Sequence, residues 1–376
     1  MTRDAGTLPC PYCSEGHPAD ASYCPATGRI LHRAHRLSGT FIEKVFRLGP
    51  MMAEGRSSVI YECENTTTRI LFAARCFKIS LADAGDLAPA VERFVREVRA
   101  VELTAHRNII EVEAVGTTDE GVPYVITELL RGYDMRAFVG EYGTIPLGDA
   151  GAIMEQILEA LEEVHARGIV HRSLTPSSIY LAAQAKGAAI PKIVDFGTWM
   201  LQLHIDDGGA AGSQEDRDDD HYLSPERLLS AARADHTSDL YSAGAILYTM
   251  ITGHVPVRST DRESGSAPQI ADPREHAPGL PDPVADFIML SLSANPRSRF
   301  QSAGEMLREL RGLDLRSVRR SKHSRKTVAG PLKKKPKGAA PVKEVQTPHH
   351  KDYSTTRRVR VIRVDLDPKD RKKSPP

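Results

Sequence analysis

The sequence predicts an α+β fold, in which a small β-rich lobe comes first and a larger helical lobe follows. Two stretches read as strands, Ser57–Cys63 and Arg69–Ile79. Apolar residues then recur at helical spacing in two segments, at Phe94, Val98 and Val101 and at Ile153, Ile157, Leu158, Leu161 and Val164. This order, with a sheet first and helices after it, is typical of an α+β architecture.

The length and texture of the chain indicate three parts. With 376 residues and 40% hydrophobic side chains, the chain can bury a large two-lobed core without disulfides. We predict a cysteine-bearing module and linker over residues 1–38 and a globular domain over residues 39–312. Its lobes should span about residues 39–128 and 129–312. A basic tail, predicted to be disordered, follows over residues 313–376.

Charge is divided unevenly along the chain. Residues 316–376 carry 20 Lys and Arg against 5 Asp and Glu, a net charge of +15. The whole chain carries +1, so residues 1–315 carry −14. Such a tail should bind anions: nucleic acid or another polyanion, an acidic protein surface, lipid headgroups, or the acidic body of the same chain. Tyr353 is its only Phe, Tyr or Trp, so nucleic-acid contacts would be to phosphates and non-specific.

Cysteine usage and hydropathy favour a cytoplasmic protein. No apolar run approaches the roughly 20 residues that a transmembrane helix needs, and no secretory signal is evident at the N-terminus. Three of the five cysteines lie within the first 24 residues. In a reducing compartment this crowding indicates metal ligands or free thiols rather than a disulfide framework.

Four motifs between Gly168 and Gly244 point to a family. They are GIVHRSLTPSSIYL from Gly168, PKIVDFG at Pro191–Gly197, YLSPER at Tyr222–Arg227 and SDLYSAG at Ser238–Gly244. In this order and at these intervals they resemble the signature of eukaryotic-like serine/threonine protein kinases, over roughly residues 41–312. The resemblance implies a two-lobed kinase fold, ATP and Mg²⁺ as cofactors, and a protein hydroxyl as phosphate acceptor.

The resemblance also assigns nucleotide-binding positions. AEGRSSVIY keeps only Gly55 of the three glycines in the phosphate-covering loop, and YVITELL makes Thr127 the gatekeeper before the adenine-facing backbone. The implied nucleotide-binding set is Gly55, Ile60, Ala73, Arg75, Glu97, Thr127, Glu128, Leu130 and Asp195. A structural ion pair between Glu226 and Arg299 is implied as well.

The catalytic loop departs from the family at three positions. Ser173 stands where the family has the catalytic Asp, Thr175 where it has Lys, and Ser178 where it has the metal-binding Asn. A serine hydroxyl is too weak a base at neutral pH, and loss of general-base help typically costs about 10² to 10⁴ in rate. Thr175 brings no positive charge, and the short hydroxyl of Ser178 is a poorer metal ligand than an amide.

The small lobe departs as well, since Arg75 stands where the strand lysine is expected. Arg75 can pair with Glu97, but its fork presents its donors differently from an ammonium. Lys78 should point to the opposite face of the strand. Asp195 is intact and could bind one Mg²⁺. Nucleotide binding therefore stays open beside a purely structural role, in which Phe196 packs on His171.

These departures predict a degenerate member of the family, a pseudokinase. It would act as a scaffold or regulator through contacts with protein partners, such as an active kinase or its substrates. Two alternatives remain: an atypical active serine/threonine kinase, and a nucleic-acid-associated protein that uses the basic tail. The acidic run Glu215–Asp220 could pair with Arg172 in place of a phosphorylated residue, or it could be a solvated loop.

The N-terminal cysteines are similar to a zinc ribbon. CPYC places Cys10 and Cys13 in one knuckle, whereas the second knuckle has Cys24 but Thr27 where another cysteine is expected. His17 could complete a Cys3His zinc site, with His32 or His35 as less local candidates. A decayed knuckle, packed around Tyr12, Tyr23 and Leu31, is the alternative.

Overall fold

The computed structural model of the protein describes most of the chain up to residue 315. The described residues are 7–10, 13, 15–18, 21, 23–27, 31, 33–55, 57–78, 87–184, 187–202, 219–259 and 269–315. The predicted basic tail from residue 316 onward lies outside them.

The small lobe is built on a six-stranded antiparallel sheet. Alternating apolar side chains favour strands here, because one face of the sheet packs on a core and the other faces the second lobe. The strand order is β3-β4-β5-β6-β8-β7. The strands are β3 (Phe41–Ile42), β4 (Phe46–Glu54), β5 (Ser58–Asn65), β6 (Leu71–Phe77), β7 (Val112–Thr117) and β8 (Pro123–Glu128).

One long helix, α1 (Ala88–Glu102), packs against this sheet. It buries Val91, Phe94, Val98 and Val101, which lie on one face at helical spacing. Phe94 contacts Phe77 of β6 edge to face, with ring centroids 5.1 Å apart. The helix is thereby fixed beside the strand that carries Arg75.

The second lobe is mainly helical, with a three-stranded sheet of order β11-β10-β9 at its junction with the first lobe. Its strands are β9 (Gly132–Asp134), β10 (Ile179–Ala182) and β11 (Ile190–Ile193), and a short pair is formed by β12 (Val257–Ser259) and β13 (Gln269–Ile270). Its helices are α2 (Met135–Tyr142), α3 (Leu147–Ala166), α4 (Trp199–Gln202), α5 (Pro225–Leu229), α6 (His236–Thr252), α7 (Pro273–His276), α8 (Asp282–Ser291) and α9 (Ala303–Gly312).

The core of this lobe surrounds α3 and α6. The predicted apolar stripe of α3 is buried, and α6 is buried on nearly all sides, including the polar Asp239 and Ser242. A helix buried all round cannot show amphipathic periodicity, so its sequence gives no helical stripe. These helices form the base on which the loop from His171 to Ser178 lies.

The N-terminal residues form a small hairpin and a linker. Strands β1 (Thr7–Pro9) and β2 (Gly16–Pro18) pair antiparallel, and a 3-10 turn, Arg33–Arg36, leads into the large sheet. Ala34 and Leu37 are buried in the same cluster as Leu48, Val59 and Tyr61 of the sheet. The linker therefore covers the outer face of the small lobe.

The α+β architecture predicted from the sequence is confirmed, with a β-rich region first and a helical region after it. Strand β5 begins one residue later than predicted, and β6 is shorter at both ends. Within the described ranges, none of the helices combines the length and the apolar character that crossing a bilayer would require.

Candidate functional site

The strand register brings four predicted nucleotide-binding residues onto one face of the sheet. Ile60 pairs with Arg75 across β5 and β6, and Ala73 pairs with Thr127 across β6 and β8. Arg75 and Ala73 are two residues apart on one strand, so all four side chains share the face toward the helical lobe.

An ion pair between Arg75 and Asp195 joins the two lobes at this face. The Nη2 atom of Arg75 lies 2.8 Å from the Oδ1 atom of Asp195, and each side chain is about a quarter exposed. Arg75 also donates to the hydroxyl of Ser58, at 3.2 Å. Asp195 has a positive φ of 68°, which a non-glycine residue rarely adopts and which is common at functional sites. The carboxylate that would bind Mg²⁺ is thus in contact with a guanidinium.

The sequence allows Glu97 to pair with Arg75, but in the structure Glu97 has two other partners. Its carboxylate lies 3.2 Å from Arg93 on the same helix and 3.5 Å from Arg172 in the catalytic loop. Arg172 offers Glu97 a cation from the helical lobe, and Arg75 meets Asp195 instead. The pairing of Arg75 with Glu97 is therefore not formed in this structure.

Lys78 lies away from the site, as its spacing from Arg75 predicts. Its Nζ atom is 2.7 Å from Oε1 of Glu54, at the end of β4. Glu54 pairs with Val59, and Val59 with Cys76, so Glu54 and Lys78 belong to the outer face of the sheet. Lys78 cannot replace the missing strand lysine.

Gly55 opens the tight loop between β4 and β5. Its N–H donates to the carbonyl of Ser58, at 2.9 Å. A Cβ added at Gly55 would meet nothing closer than that carbonyl, at 3.8 Å. The retained glycine is therefore not required by backbone strain or by close packing within the described residues.

The segment after β8 contains Thr127, Glu128 and Leu130. The hydroxyl of Thr127 donates to the carbonyl of Glu128, at 3.3 Å, and Leu130 packs partly buried against the large core. The carboxylate of Glu128 lies 2.5 Å from Nζ of Lys192, which is almost buried. This segment is thus tied to β11 of the helical lobe by a shielded ion pair.

Tyr180 contacts Gly132 beside the same segment. The Tyr180 hydroxyl donates to the carbonyl of Gly132, at 3.0 Å, and burial raises the pKa of Tyr180 above its usual value. Gly132 has a φ of 138°, and a Cβ there would lie only 2.1 Å from the carbonyl oxygen of Leu181. Only glycine permits this approach of β9 to β10.

Sequence reasoning missed Asp134, which pairs with Tyr180 across β9 and β10. Its carboxylate caps α2 by accepting from the N–H of Ala137, at 2.8 Å. Burial raises the pKa of Asp134 above its ordinary value. The available signal was an aspartate placed directly before a helix, at the end of the hinge segment.

The three catalytic-loop positions that depart from the family pattern, Ser173, Thr175 and Ser178, lie close together in one loop. The N–H of Ser173 donates to Nδ1 of His171, at 3.4 Å. The hydroxyl of Ser178 accepts from the N–H of Thr175 and donates to its carbonyl, both at 2.8 Å. That hydroxyl is buried and engaged in its own turn, so Ser178 does not present an oxygen to a metal ion.

The scaffold beneath the loop is intact. His171 is fully buried and stacks obliquely on Phe196, with ring centroids 4.8 Å apart. The carboxylate of Asp239 accepts from the N–H groups of His171 and Arg172, at 2.9 and 2.8 Å, and pairs with His165. Burial opposes ionisation of Asp239, but these partners outweigh it and hold its pKa below the ordinary value.

The expected pair of Glu226 and Arg299 is confirmed. Two parallel bonds join them, from Nη1 to Oε1 at 2.8 Å and from Nη2 to Oε2 at 2.9 Å. Burial alone would raise the pKa of Glu226, yet the bonds from Arg299 and Ser238 keep it below its usual value. The pair joins α5 to the segment before α9 and takes no part in chemistry.

The acidic run is only partly described. Asp219 forms an ion pair with Arg136 of α2, which also donates to the hydroxyl of Ser177, at 2.8 Å. The hypothesised contact with Arg172 is not made by Asp219. The other members of the run up to residue 218 lie outside the described residues.

The N-terminal cysteines converge on one point. The ligand atoms of Cys10, Cys13, His17 and Cys24 all lie within 4.8 Å of one another, and Sγ of Cys13 is 3.1 Å from Nε2 of His17. Tetrahedral zinc, with ligands about 2.0 to 2.3 Å away, needs edges of roughly 3.5 to 3.8 Å. The thiol and imidazole donors are therefore of the type that zinc binds, and they converge to within about 1 Å of this spacing.

Of the two alternatives to His17 as the fourth ligand, only His35 lies within the described residues, and it lies away from the cysteines. His35 lies 3.0 Å from Glu54, on the sheet side of the linker, whereas His32 lies outside the described residues. Tyr23 is 58% exposed and does not form the apolar packing of a decayed knuckle. Thr27, where the ribbon pattern has a cysteine, hydrogen-bonds Cys24, and chiefly for this reason the pKa of Cys24 falls to about 6.

Comparisons with known proteins agree with this geometry. The protein kinase domain family matches residues 46–309. The serine/threonine-protein kinase Pkn1 of Myxococcus xanthus is 30% identical over 351 residues, which cover 86% of this chain and 48% of that protein. The kinase pkn3 of the same organism is 26% identical, over 82% of this chain and 58% of its own length.

A solved structure shows the same fold. Rad53 residues 1–466, in complex with AMP-PNP, aligns with a TM-score of 0.54 at 24% identity, over 71% of this chain and 65% of that one. A two-lobed fold, in which a β-sheet lobe faces a helical lobe and His171 packs on Phe196, is typical of kinase-like proteins. The chain belongs to the protein kinase domain family. It spans about half the length of the curated relatives it matches.

Proposed function

We propose that this kinase-fold protein is a pseudokinase: it transfers no phosphate and acts as a scaffold or regulator through protein contacts. The observation that carries the proposal is the ion pair between Arg75 and Asp195. It occupies the one metal-binding carboxylate that the sequence retains, while Ser173 and Ser178 stand at the base and second metal positions.

The ion pair opposes metal binding for an electrostatic reason. Mg²⁺ needs carboxylate oxygens at about 2.0 to 2.1 Å, so it would have to displace the guanidinium or bind beside it. Two cations close to one carboxylate repel each other, and the guanidinium retains its charge at any physiological pH. If ATP binds, we expect Arg75 to contact its phosphates without help from Mg²⁺.

The test measures ATP binding to the full chain by thermal shift, with and without Mg²⁺, followed by a radiolabelled transfer assay. The proposal expects equal shifts in both buffers, or none, and no labelled protein. An Asp195→Asn variant serves as the background control. Transfer by the unaltered chain that disappears in this variant would refute the proposal.

One observation favours the alternative of an atypical active kinase: both Myxococcus xanthus relatives are named serine/threonine-protein kinases. The same transfer assay separates the two proposals. The comparisons give no support to nucleic-acid binding, and the basic tail that would carry it lies outside the described residues. Its test is loss of salt-sensitive DNA retention when residues 316–376 are removed.

We further propose a structural zinc ion held by Cys10, Cys13, His17 and Cys24. Zinc would crosslink the β1–β2 hairpin to the segment around Cys24, and the convergence of the four ligand atoms to within 4.8 Å of one another supports this. Metal analysis of the purified full chain should give about one zinc per protein, and much less for Cys24→Ser. A content below about 0.2 zinc in the unaltered chain would reject the site.

We propose that this protein binds an active kinase or the substrates of one. A fold that positions no phosphate still offers two lobes and a joint between them to an active kinase or its substrates. We propose a cytoplasmic location, because a reducing compartment keeps cysteines available as metal ligands or thiols.

A further inference from the structure

The linker between the cysteine cluster and the sheet is bonded at its N-terminal side. Nη2 of Arg36 donates to the carbonyl of Ala21, at 2.6 Å. Ala21 itself packs against the cluster of Cys10, Cys24 and Leu31. The position of the linker is therefore tied to the shape of the cysteine module.

The same linker is anchored to the outer face of the sheet. The hydroxyl of Tyr61 donates to the carbonyl of Ala34, at 2.8 Å, and both residues are buried. Leu37 is buried in the same cluster. The anchoring is strong, since breaking this bond would leave a buried hydroxyl and a buried carbonyl without a partner.

From this anchored linker, His35 reaches Glu54, the last residue of β4 before the loop that carries Gly55. Its Nε2 atom lies 3.0 Å from Oε1 of Glu54, and the imidazole side chain is fully buried. The same oxygen lies 2.7 Å from Nζ of Lys78. Glu54 is thus held between an imidazole and an ammonium, immediately before the loop.

The loop backbone is held from the same side. The N–H of Lys78 donates to the carbonyl of Ser57, at 2.9 Å, and the N–H of Gly55 closes the loop onto Ser58. On the inner face, Arg75 donates to the Ser58 hydroxyl. The loop therefore lies between the linker contacts outside and the Arg75–Asp195 pair inside.

We propose that metal binding in the N-terminal module fixes the loop that carries Gly55, through the path from Arg36 and His35 to Glu54. Loss of the metal frees the hairpin and the segment around Ala21, the linker loosens, and Glu54 loses its imidazole partner. The inference rests on the zinc site proposed above. It gives the N-terminal module a regulatory role, which is to set how firmly the loop that carries Gly55 is held.

The experiment is hydrogen–deuterium exchange with mass spectrometry on the full chain, loaded with zinc or treated with a chelator. Peptides over residues 54–60 report on the loop, and peptides over α6 report on global folding. Chelation should raise exchange in the loop about tenfold and leave α6 unchanged, because the linker contact at Glu54 is lost while the core of the helical lobe keeps its contacts.

Two variants test the path while zinc stays bound. Glu54→Gln removes the charge between His35 and Lys78, and Arg36→Ala removes the bond to Ala21. Each should raise loop exchange about tenfold at an unchanged zinc content. The matched control is Glu64→Gln, which breaks ion pairs of the same sheet with the exposed Arg47 and Arg69 and should leave the loop unaffected.

The outcomes separate this inference from the proposed zinc site. A chain that purifies without zinc overturns both. A zinc-bearing chain overturns the coupling alone if its loop exchanges equally with and without chelator. If chelation unfolds the protein and α6 exchanges as well, Arg36→Ala decides: unchanged loop exchange in that variant overturns the coupling.

Discussion

The guanidinium of Arg75 and the carboxylate of Asp195 meet at 2.8 Å, at the point where an active site would need both groups free. A lysine at residue 75 would reach less far and would offer one compact charge. The forked arginine instead bonds Asp195 and Ser58 together. In the proposed pseudokinase, this ion pair occupies the carboxylate that would otherwise be open to a metal ion.

At this residue we expect Arg75→Lys to make ATP binding dependent on Mg²⁺. The shorter ammonium frees Asp195, so Mg²⁺ should strengthen ATP binding about tenfold in the variant, a gain of about 1.4 kcal/mol. Isothermal titration with and without Mg²⁺ measures this ratio. Arg47→Lys makes the same exchange at an exposed position of β4 and should have no effect. A tenfold Mg²⁺ effect in the unaltered chain would contradict this reading.

The sequence suggested Glu97 as the carboxylate partner of Arg75, but the structure pairs Arg75 with Asp195. Strand alternation predicts the face on which Arg75 lies, but not which of the two carboxylates it meets. The choice depends on Arg172, which comes from the other lobe and contacts Glu97 at 3.5 Å. Such competition is a property of the packed lobes, and no local pattern encodes it.

At the scale of elements, α5 is held by the bidentate pair of Glu226 and Arg299. The Arg299 side chain is fully buried, and that of Glu226 is 14% exposed. Removing one partner of such a pair leaves a shielded charge without compensation, which typically costs about 3 to 5 kcal/mol. The pair therefore stabilises the large lobe without touching the candidate site.

We expect Arg299→Met to lower the free energy of unfolding by about 3 to 5 kcal/mol, measured by urea titration. The control is Arg311→Met in α9. Arg311 pairs with Glu155 and Glu159 of α3 at the surface and is 42% exposed. Exposed pairs are worth about 0 to 1 kcal/mol. If both variants lost the same free energy of unfolding, burial would not be the reason for the strength of the Glu226–Arg299 pair.

Some helices and strands could be located from their sequence patterns, and others could not. Helices α1 and α3 carry one-sided apolar stripes, and β5 and β6 carry strand-like runs, so pattern alone located them. Helix α6 is buried on nearly all sides and shows no stripe, and only the SDLYSAG motif marked it. The 3-10 turn at Arg33–Arg36 is too short for a periodic signal, so its packing on the sheet was not predicted.

For the whole molecule, two buried carboxylates link stability to pH. The pKa values of Asp239 and Glu226 are held below their ordinary values by their partners. A carboxylate with a lowered folded-state pKa stabilises the protein above its unfolded-state pKa, and this contribution is lost as pH falls through the folded-state value. Stability from Glu226 is therefore complete at neutral pH and declines below about pH 4.5.

We accordingly expect Glu226→Gln to be less stable than the unaltered chain at pH 7, with the difference shrinking as the pH falls below 4.5. Urea unfolding at several pH values between 7 and 3 measures this convergence. A difference that stays constant over this range would mean that ionisation of Glu226 contributes nothing to stability.

The absence of phosphotransfer is the central claim at this scale, and transfer of labelled γ-phosphate tests it most directly. The assay compares the unaltered chain with a variant in which the four substitutions R75K, S173D, T175K and S178N restore the residue types of active kinases. We predict only background labelling from the unaltered chain and measurable transfer from the restored one. Transfer by the unaltered chain at an ordinary kinase rate, abolished by Asp195→Asn, would contradict the account.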